Sequence, residues 1–97
     1  MVTWLEQHAA EIDVVHVTNV TLDSLIHPVL RIAQTHRIPV LVTPFIHLGE
    51  INDPSFVGYY SMPQQLDVLQ QSAHVFTMTQ REAAFLQQRG VTTPMHT

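Results

Sequence analysis

The chain contains no cysteine and no lysine, and it has only three glycines among its 97 residues. The absence of cysteine excludes disulfides, thiol catalysis and cysteine-ligated metals, and it is typical of proteins of the reducing cytosol. Four arginines against eight acidic residues leave a formal net charge of −4. A chain with so few basic groups has no patch to neutralise a phosphate backbone, so nucleic-acid binding is not expected.

Long hydrophobic runs are also missing. No apolar stretch reaches the roughly 20 residues that a membrane-spanning helix requires, and the N-terminus shows no basic segment followed by an apolar one. These features predict a soluble, cytoplasmic protein. The length allows one small domain, residues 1–97, with a single hydrophobic core, and it is too short for a complete two-domain enzyme.

The most informative stretch is the apolar, β-branched run at 38–43, which is bounded by prolines. Such a run predicts a central parallel strand that is covered on both faces. In open α/β sheets, ligands bind in the crevice beyond the carboxyl ends of the strands. Thr43 at the end of this strand, and Pro44, Phe45 and His47 just after it, are therefore candidates for contact with a ligand.

Alternating apolar patterns of helix and strand occupy the rest of the chain. The sequence predicts an α/β fold with a three-stranded parallel sheet and flanking helices, half of a Rossmann-like domain. The predicted helices are 2–10, 20–37, 63–72 and 79–89, the predicted strands 12–17, 38–43 and 74–78, and a long loop covers 48–60. Residues 91–97 begin a strand-like pattern that stops before a further strand is complete.

Helix-end signals support these boundaries. Thr79 and Glu82 have the spacing of a capping box, in which the Thr79 side chain accepts from the backbone at Glu82 and the Glu82 side chain reaches back. Gly90 is the expected residue just beyond the C-terminus of this helix. Thr21 and Ser61 are candidates for capping the helices that follow them.

The edge of the first predicted strand carries neither lysine nor proline, the residues that usually protect an exposed edge. We therefore expect this strand to pair with a strand outside the chain or with a second copy of the chain.

An ordered set of segments resembles the N-terminal domain of family 4 glycosyltransferases of the GT-B fold. The set consists of Asp13-Val14-Val15-His16-Val17, then Arg37-Ile38-Pro39-Val40-Leu41-Val42-Thr43-Pro44-Phe45, then Ala73-His74-Val75-Phe76-Thr77-Met78-Thr79, followed by Glu82, Phe85-Leu86 and Gly90-Val91. The resemblance covers most of the chain and corresponds to the second half of that domain.

The resemblance implies a retaining, metal-independent transfer of a sugar from a nucleotide-sugar donor to a sugar or lipid acceptor, without a cofactor. The nucleotide would be held by a second domain that this chain lacks, so the fragment alone should be inactive. The family often places a histidine at the tip of the central strand, which makes His47 the candidate catalytic residue. The implied substrate-binding residues are Thr18, Asn19, Thr43, Phe45 and Thr79.

Simpler structural roles remain open for several of these residues. His47 is equally consistent with a loop histidine bonded to a nearby carbonyl. An Asx turn accounts for Asn19 as well as acceptor binding does. Glu82 fits a capping role better than a catalytic one. The seven histidines show no i, i+4 pair and no HExxH motif, so no metal site is expected.

A second function class also fits the sequence. A small non-catalytic α/β module could regulate or bind a partner through the exposed edge strand, without performing any chemistry. The two hypotheses differ in whether the carboxyl ends of the strands or the sheet edge carries the function.

Overall fold

A computed structural model describes residues 2–46 and 61–97 as a parallel sheet packed against helices. The helices are α1 (Val2–His8), α2 (Asp23–Thr35), α3 (Pro63–Gln71) and α4 (Gln80–Gln88), and the strands are β1 (Val15–Thr18), β2 (Val40–Thr43), β3 (His74–Phe76) and β4 (Met95–His96). Short 3-10 helices, Ala9–Glu11 and Val20–Leu22, follow α1 and precede α2. The α/β class and the parallel sheet are therefore confirmed.

Within the described residues the sheet has four strands in the order β1-β2-β3-β4, and the prediction of three strands was wrong. The fourth strand pairs only Met95 and His96 with β3, in parallel register, and it is extended by a bond from the Val75 N–H to the Pro94 carbonyl at 2.9 Å. A two-residue strand carries too little alternation for its pattern to be recognised in the sequence.

The end of α4 follows its sequence signal, whereas the expected N-cap of α3 was wrong, since Met62 and not Ser61 occupies that position. At the end of α4, the Val91 N–H donates to the Leu86 carbonyl and the Gly90 N–H to the Gln87 carbonyl, each at 3.1 Å. These two bonds form a Schellman motif around Gly90, whose φ is 92°. The predicted role of Gly90 is confirmed.

The same motif ends α2, although the residue there is an arginine. The Ile38 N–H donates to the Ala33 carbonyl at 2.8 Å and the Arg37 N–H to the Gln34 carbonyl at 3.2 Å. Arg37 consequently has a φ of 58°, a left-handed conformation that costs a non-glycine residue free energy.

The hydrophobic core lies on one face of the sheet. Val40, Val42 and Val75 point to this face and pack against apolar side chains of α2, α3 and α4, among them Leu30, Leu69 and Leu86. Because each right-handed crossover moves the chain in the same direction across the sheet, these helices lie on the same side.

The opposite face carries no member of the hydrophobic core of the described residues. Leu41 of β2 points to this face and is only partly buried, which differs from the expected burial of β2 on both faces. One row of this face contains His16, Leu41 and His74, and the next contains Thr18, Thr43, Phe76 and His96.

Candidate functional site

The candidate site is the edge of the sheet at which the parallel strands end. Thr18 and Thr43 are the last residues of β1 and β2 and lie directly opposite each other in the register. The pairing continues for two residues beyond the strands, since the N–H groups of Asn19 and Val20 donate to the carbonyls of Thr43 and Pro44, each at 3.0 Å. The ends of β1 and β2 are therefore held together firmly.

Asn19 is the turn residue of this edge. Its φ is 67°, and its Oδ1 accepts a hydrogen bond from the Thr21 N–H at 3.3 Å. This is an Asx turn, which opens the 3-10 helix Val20–Leu22 ahead of α2. The turn role of Asn19 is confirmed, and the expected capping role of Thr21 was wrong because Asn19 occupies that position.

Phe45 lies just beyond β2 in a strained conformation. Its φ is 53°, a left-handed value that a bulky side chain rarely adopts. Its neighbours Pro44 and Ile46 are both buried, whereas the Phe45 side chain is 46% exposed. The backbone thus turns the Phe45 ring toward solvent, while the residues on either side anchor the segment. Strained, exposed positions of this kind are concentrated at functional sites.

A buried carboxylate holds the segment after β2 against the start of α4. Glu82 is only 3% exposed, and its Oε2 accepts from the Ile46 N–H at 3.2 Å while its Oε1 accepts from the Met78 N–H at 3.3 Å. Burial raises the pKa of the Glu82 carboxyl above its ordinary value, and the two backbone hydrogen bonds oppose that shift. Glu82 therefore joins the ends of β2 and β3.

Thr79 caps α4 as predicted, because its Oγ1 accepts from the Glu82 N–H at 3.1 Å. In the second hydrogen bond of the expected capping box, the Glu82 side chain accepts from a different backbone N–H than expected. The Glu82 side chain reaches the N–H of Met78, one residue before the cap, together with the N–H of Ile46. The Thr79 hydroxyl thus has a structural function at the same edge, whether or not it also contacts a ligand.

The open face adds an aromatic and histidine cluster next to the site. The His16 Nε2 and Thr43 Oγ1 atoms are 2.8 Å apart, within hydrogen-bonding distance. The Phe76 ring is surrounded by three imidazoles, with ring centroids 4.9 Å from His74, 6.0 Å from His16 and 6.5 Å from His96. The buried Nε2 atom of His74 has no hydrogen-bond partner among the described residues.

Sequence reasoning did not identify this cluster. The four rings lie at alternate positions on three strands, so the period-2 pattern of a strand puts them on one face once the register is known. The register itself was the missing information.

His47, the predicted catalytic residue, and the predicted loop at 48–60 lie outside the described residues. Thr18, Asn19, Thr43 and Phe45 all lie at the ends of β1 and β2, and Thr79 lies beyond β3 at the start of α4. The side chains of Asn19, Thr43 and Thr79 each take part in a hydrogen bond within the protein. Thr18, Phe45 and Thr79 are the exposed members of the set.

Within 2–46 and 61–97, no three histidine or acidic side chains are grouped so as to hold a metal ion. Nor does any helix in those ranges have the length and apolar character needed to cross a bilayer. Comparison with known proteins found no matching family model, no matching curated protein and no matching solved structure.

Proposed function

We propose that the chain is the acceptor-side part of a retaining glycosyltransferase that transfers a sugar from a nucleotide-sugar donor to a sugar or lipid acceptor. The observation that supports this best is the exposed Phe45 ring, held in a left-handed conformation at the carboxyl edge of a parallel sheet. Ligands of open α/β sheets bind at this edge.

The chemistry of the edge suits a carbohydrate or a similar amphipathic ligand. Small-molecule sites combine apolar or aromatic surface with a few polar groups that fix orientation. Phe45 supplies an aromatic face, and Met78, at 63% exposure, adds apolar surface next to the Glu82 contact. The exposed Thr18 hydroxyl at the end of β1 supplies a polar group.

Binding of the nucleotide-sugar donor would take place in a part of the enzyme outside this chain. In the proposed enzyme the nucleotide of the donor is held by a second domain, and His47 acts close to the transferred sugar. No cofactor takes part, and the enzyme is expected in the cytoplasm. The chain alone should therefore bind an acceptor weakly and transfer no sugar.

NMR titration of the isotope-labelled chain tests the proposal directly. We expect millimolar saccharide to shift the backbone signals of Thr18, Phe45 and Thr79, and to leave those of β4 unchanged. Phe45→Ala should abolish the shifts, and Phe85→Ala, which removes an aromatic side chain from α4 instead, should keep them. Saccharides that shift no signal at this edge would overturn the proposal.

A second candidate, a non-catalytic interaction module, is favoured by a different observation. In the part of the chain that the structure describes, β1 is an edge strand whose one neighbour is β2. A protein of this class would use the edge and not the carboxyl ends of the strands. In that case, substitutions at Phe45 would leave the binding of the partner protein unchanged.

A further inference from the structure

Among residues 2–46 and 61–97, β2 is the one strand that pairs with β1, and no described strand covers the other edge of β1. The Val15 N–H donates to the Pro39 carbonyl and the Asn19 N–H to the Thr43 carbonyl, both across to β2 and both at 3.0 Å. Along a parallel strand, alternate residues direct their backbone groups to opposite sides. The N–H and C=O groups of Val14, His16 and Thr18 therefore point away from β2, toward the open side of the sheet.

An apolar groove runs alongside this edge on the helix face. Its volume is about 300 Å³, and it lies between β1, α1 and the start of α2. Three large side chains on its walls are about half exposed, namely Trp4 at 57%, Leu22 at 47% and Leu25 at 54%. Exposed apolar surface beside an unpaired strand is the usual sign of a site for another strand.

The charge distribution limits what can bind there. The chain has a net charge of −4, yet among the described residues His16 is the only ionisable one that lines the groove. A strand that fits this groove must itself be apolar and free of formal charge. The segment Val14–Val15–His16–Val17–Thr18 has this composition, so the edge of a second copy matches the groove of the first without bringing acidic groups together.

The β1 residues whose backbone groups point away from β2 also define a register for pairing between two copies of β1. In an antiparallel pair, outward-pointing residues of one strand lie opposite outward-pointing residues of the other. Asn19, with a φ of 67°, ends the extended conformation, so the longest pairing uses residues 14–18 of each copy. This pairing places His16 opposite His16 of the other copy and Val14 opposite Thr18.

We propose that two copies of the chain associate through their β1 edges, antiparallel and centred on His16, to form a continuous eight-stranded sheet. Trp4, Leu22 and Leu25 of the two copies then cover each other across the two-fold axis. Because β1 runs in opposite directions in the two copies, their carboxyl edges lie at opposite ends of the joined sheet. The association therefore leaves both candidate sites open.

Disulfide trapping tests the register, because the chain has no cysteine of its own. His16→Cys should form a disulfide-linked dimer under mild oxidation, since opposed residues of such a pair have Cα atoms about 5.5 Å apart. His96→Cys, on the same face but in β4, is the matched control and should remain monomeric. A mixture of Val14→Cys and Thr18→Cys should form mixed dimers faster than either variant alone forms its own.

Sedimentation equilibrium of the unmodified chain tests the association itself. We expect a concentration-dependent dimer that Leu25→Glu weakens at least tenfold, because a carboxylate would be buried in the apolar contact. Met78→Glu changes an equally exposed apolar residue at the carboxyl edge and should leave dimerisation unchanged. Circular dichroism establishes that each variant is folded.

Three results would overturn the proposal. A chain that sediments as a monomer at all concentrations has no such dimer, and its edge is then available to a strand of another protein. A dimer that is trapped through His96→Cys and not through His16→Cys uses the opposite edge. A dimer that tolerates Leu25→Glu does not use the groove.

Discussion

The Glu82 carboxylate accepts a hydrogen bond from the backbone N–H of Ile46, 36 residues earlier in the chain, at 3.2 Å. The same carboxylate accepts from the Met78 N–H, so one buried side chain connects the segment after β2 with the turn before α4. The exposed Phe45 precedes Ile46 directly. The conformation of Phe45 therefore depends on Glu82.

Glu82→Ala should destabilise the protein by about 2–3 kcal/mol, because it leaves the N–H groups of Ile46 and Met78 without their acceptor. Urea denaturation measures the free energy of unfolding. Arg81→Ala, a neighbouring exposed position on α4, is the control and should change stability by less than about 0.5 kcal/mol. Equal effects of the two substitutions would show that the Glu82 hydrogen bonds contribute nothing to stability.

The stability of the protein should depend on pH through Glu82. Burial raises the pKa of Glu82 in the folded state above its ordinary value of 4.5. The folded state then binds the proton more tightly than the unfolded state, so the associated stability is fully present below pH 4.5 and is lost as pH rises through the folded-state pKa.

Glu82→Gln removes this titration and so isolates its contribution. Relative to the variant, the unmodified protein should become progressively less stable as the pH rises from 4 toward 7. Denaturation of both proteins at a series of pH values measures the difference. A difference that stays constant, or that changes in the opposite direction, contradicts the raised pKa.

The two Schellman motifs predict opposite effects of adding and removing glycine. Arg37→Gly should stabilise the protein by about 1 kcal/mol, since glycine adopts the φ of 58° without the cost that arginine incurs. Gly90→Ala should destabilise it by a similar amount. A Cβ at Gly90 would meet no atom within 4 Å, so the cost there is conformational and not steric. Thermal denaturation of both variants checks the signs.

Two substitutions of Phe45 separate the free-energy cost of its backbone conformation from the contribution of its ring to ligand binding. Phe45→Gly should be more stable than Phe45→Ala by about 1 kcal/mol, because only glycine is unstrained at a φ of 53°. Both variants should lose saccharide binding, since both remove the ring. If Phe45→Gly still binds saccharide, the ring is not part of the site. Calorimetry provides the stability and NMR titration the binding.

The role of His47 can be tested if the chain is part of the two-domain glycosyltransferase that we propose. We expect His47→Ala to lower turnover by at least about tenfold while the protein stays folded, as for a residue that acts in the transition state. His36→Ala, on the exposed turn after α2, is a histidine control and should keep full turnover. Unchanged turnover in His47→Ala would remove His47 from the site.

The sequence predicted those parts of the fold that depend on local patterns. Among the residues that the structure describes, apolar periodicity located the four α-helices and three of the four strands, and Gly90 and Thr79 marked both ends of α4 correctly. The start of β1 was placed three residues early, at 12 and not 15. Residues 12–14 have the same apolar character as the strand, but only from Val15 on are they paired with β2.

The location of the candidate site was predictable from the sequence, but the conformations and contacts of its residues were not. The rule that ligands bind at the carboxyl ends of parallel strands located Thr18, Thr43 and Phe45 at one edge. The left-handed conformation of Phe45 had no local signal, because left-handed residues are usually glycine or asparagine. The hydrogen bond from the Ile46 N–H to the Glu82 carboxylate connects distant parts of the chain and depends on the packing of the sheet.

The buried neighbours of Phe45 have a further consequence for binding. Pro44 and Ile46 fix the backbone on both sides of the ring, and the Glu82 carboxylate accepts a hydrogen bond from the backbone N–H of Ile46. The entropy of ordering this segment is therefore lost when the chain folds and not when a ligand arrives. A ligand that stacks on the ring would meet a preorganised surface, and more of its contact energy would remain as affinity.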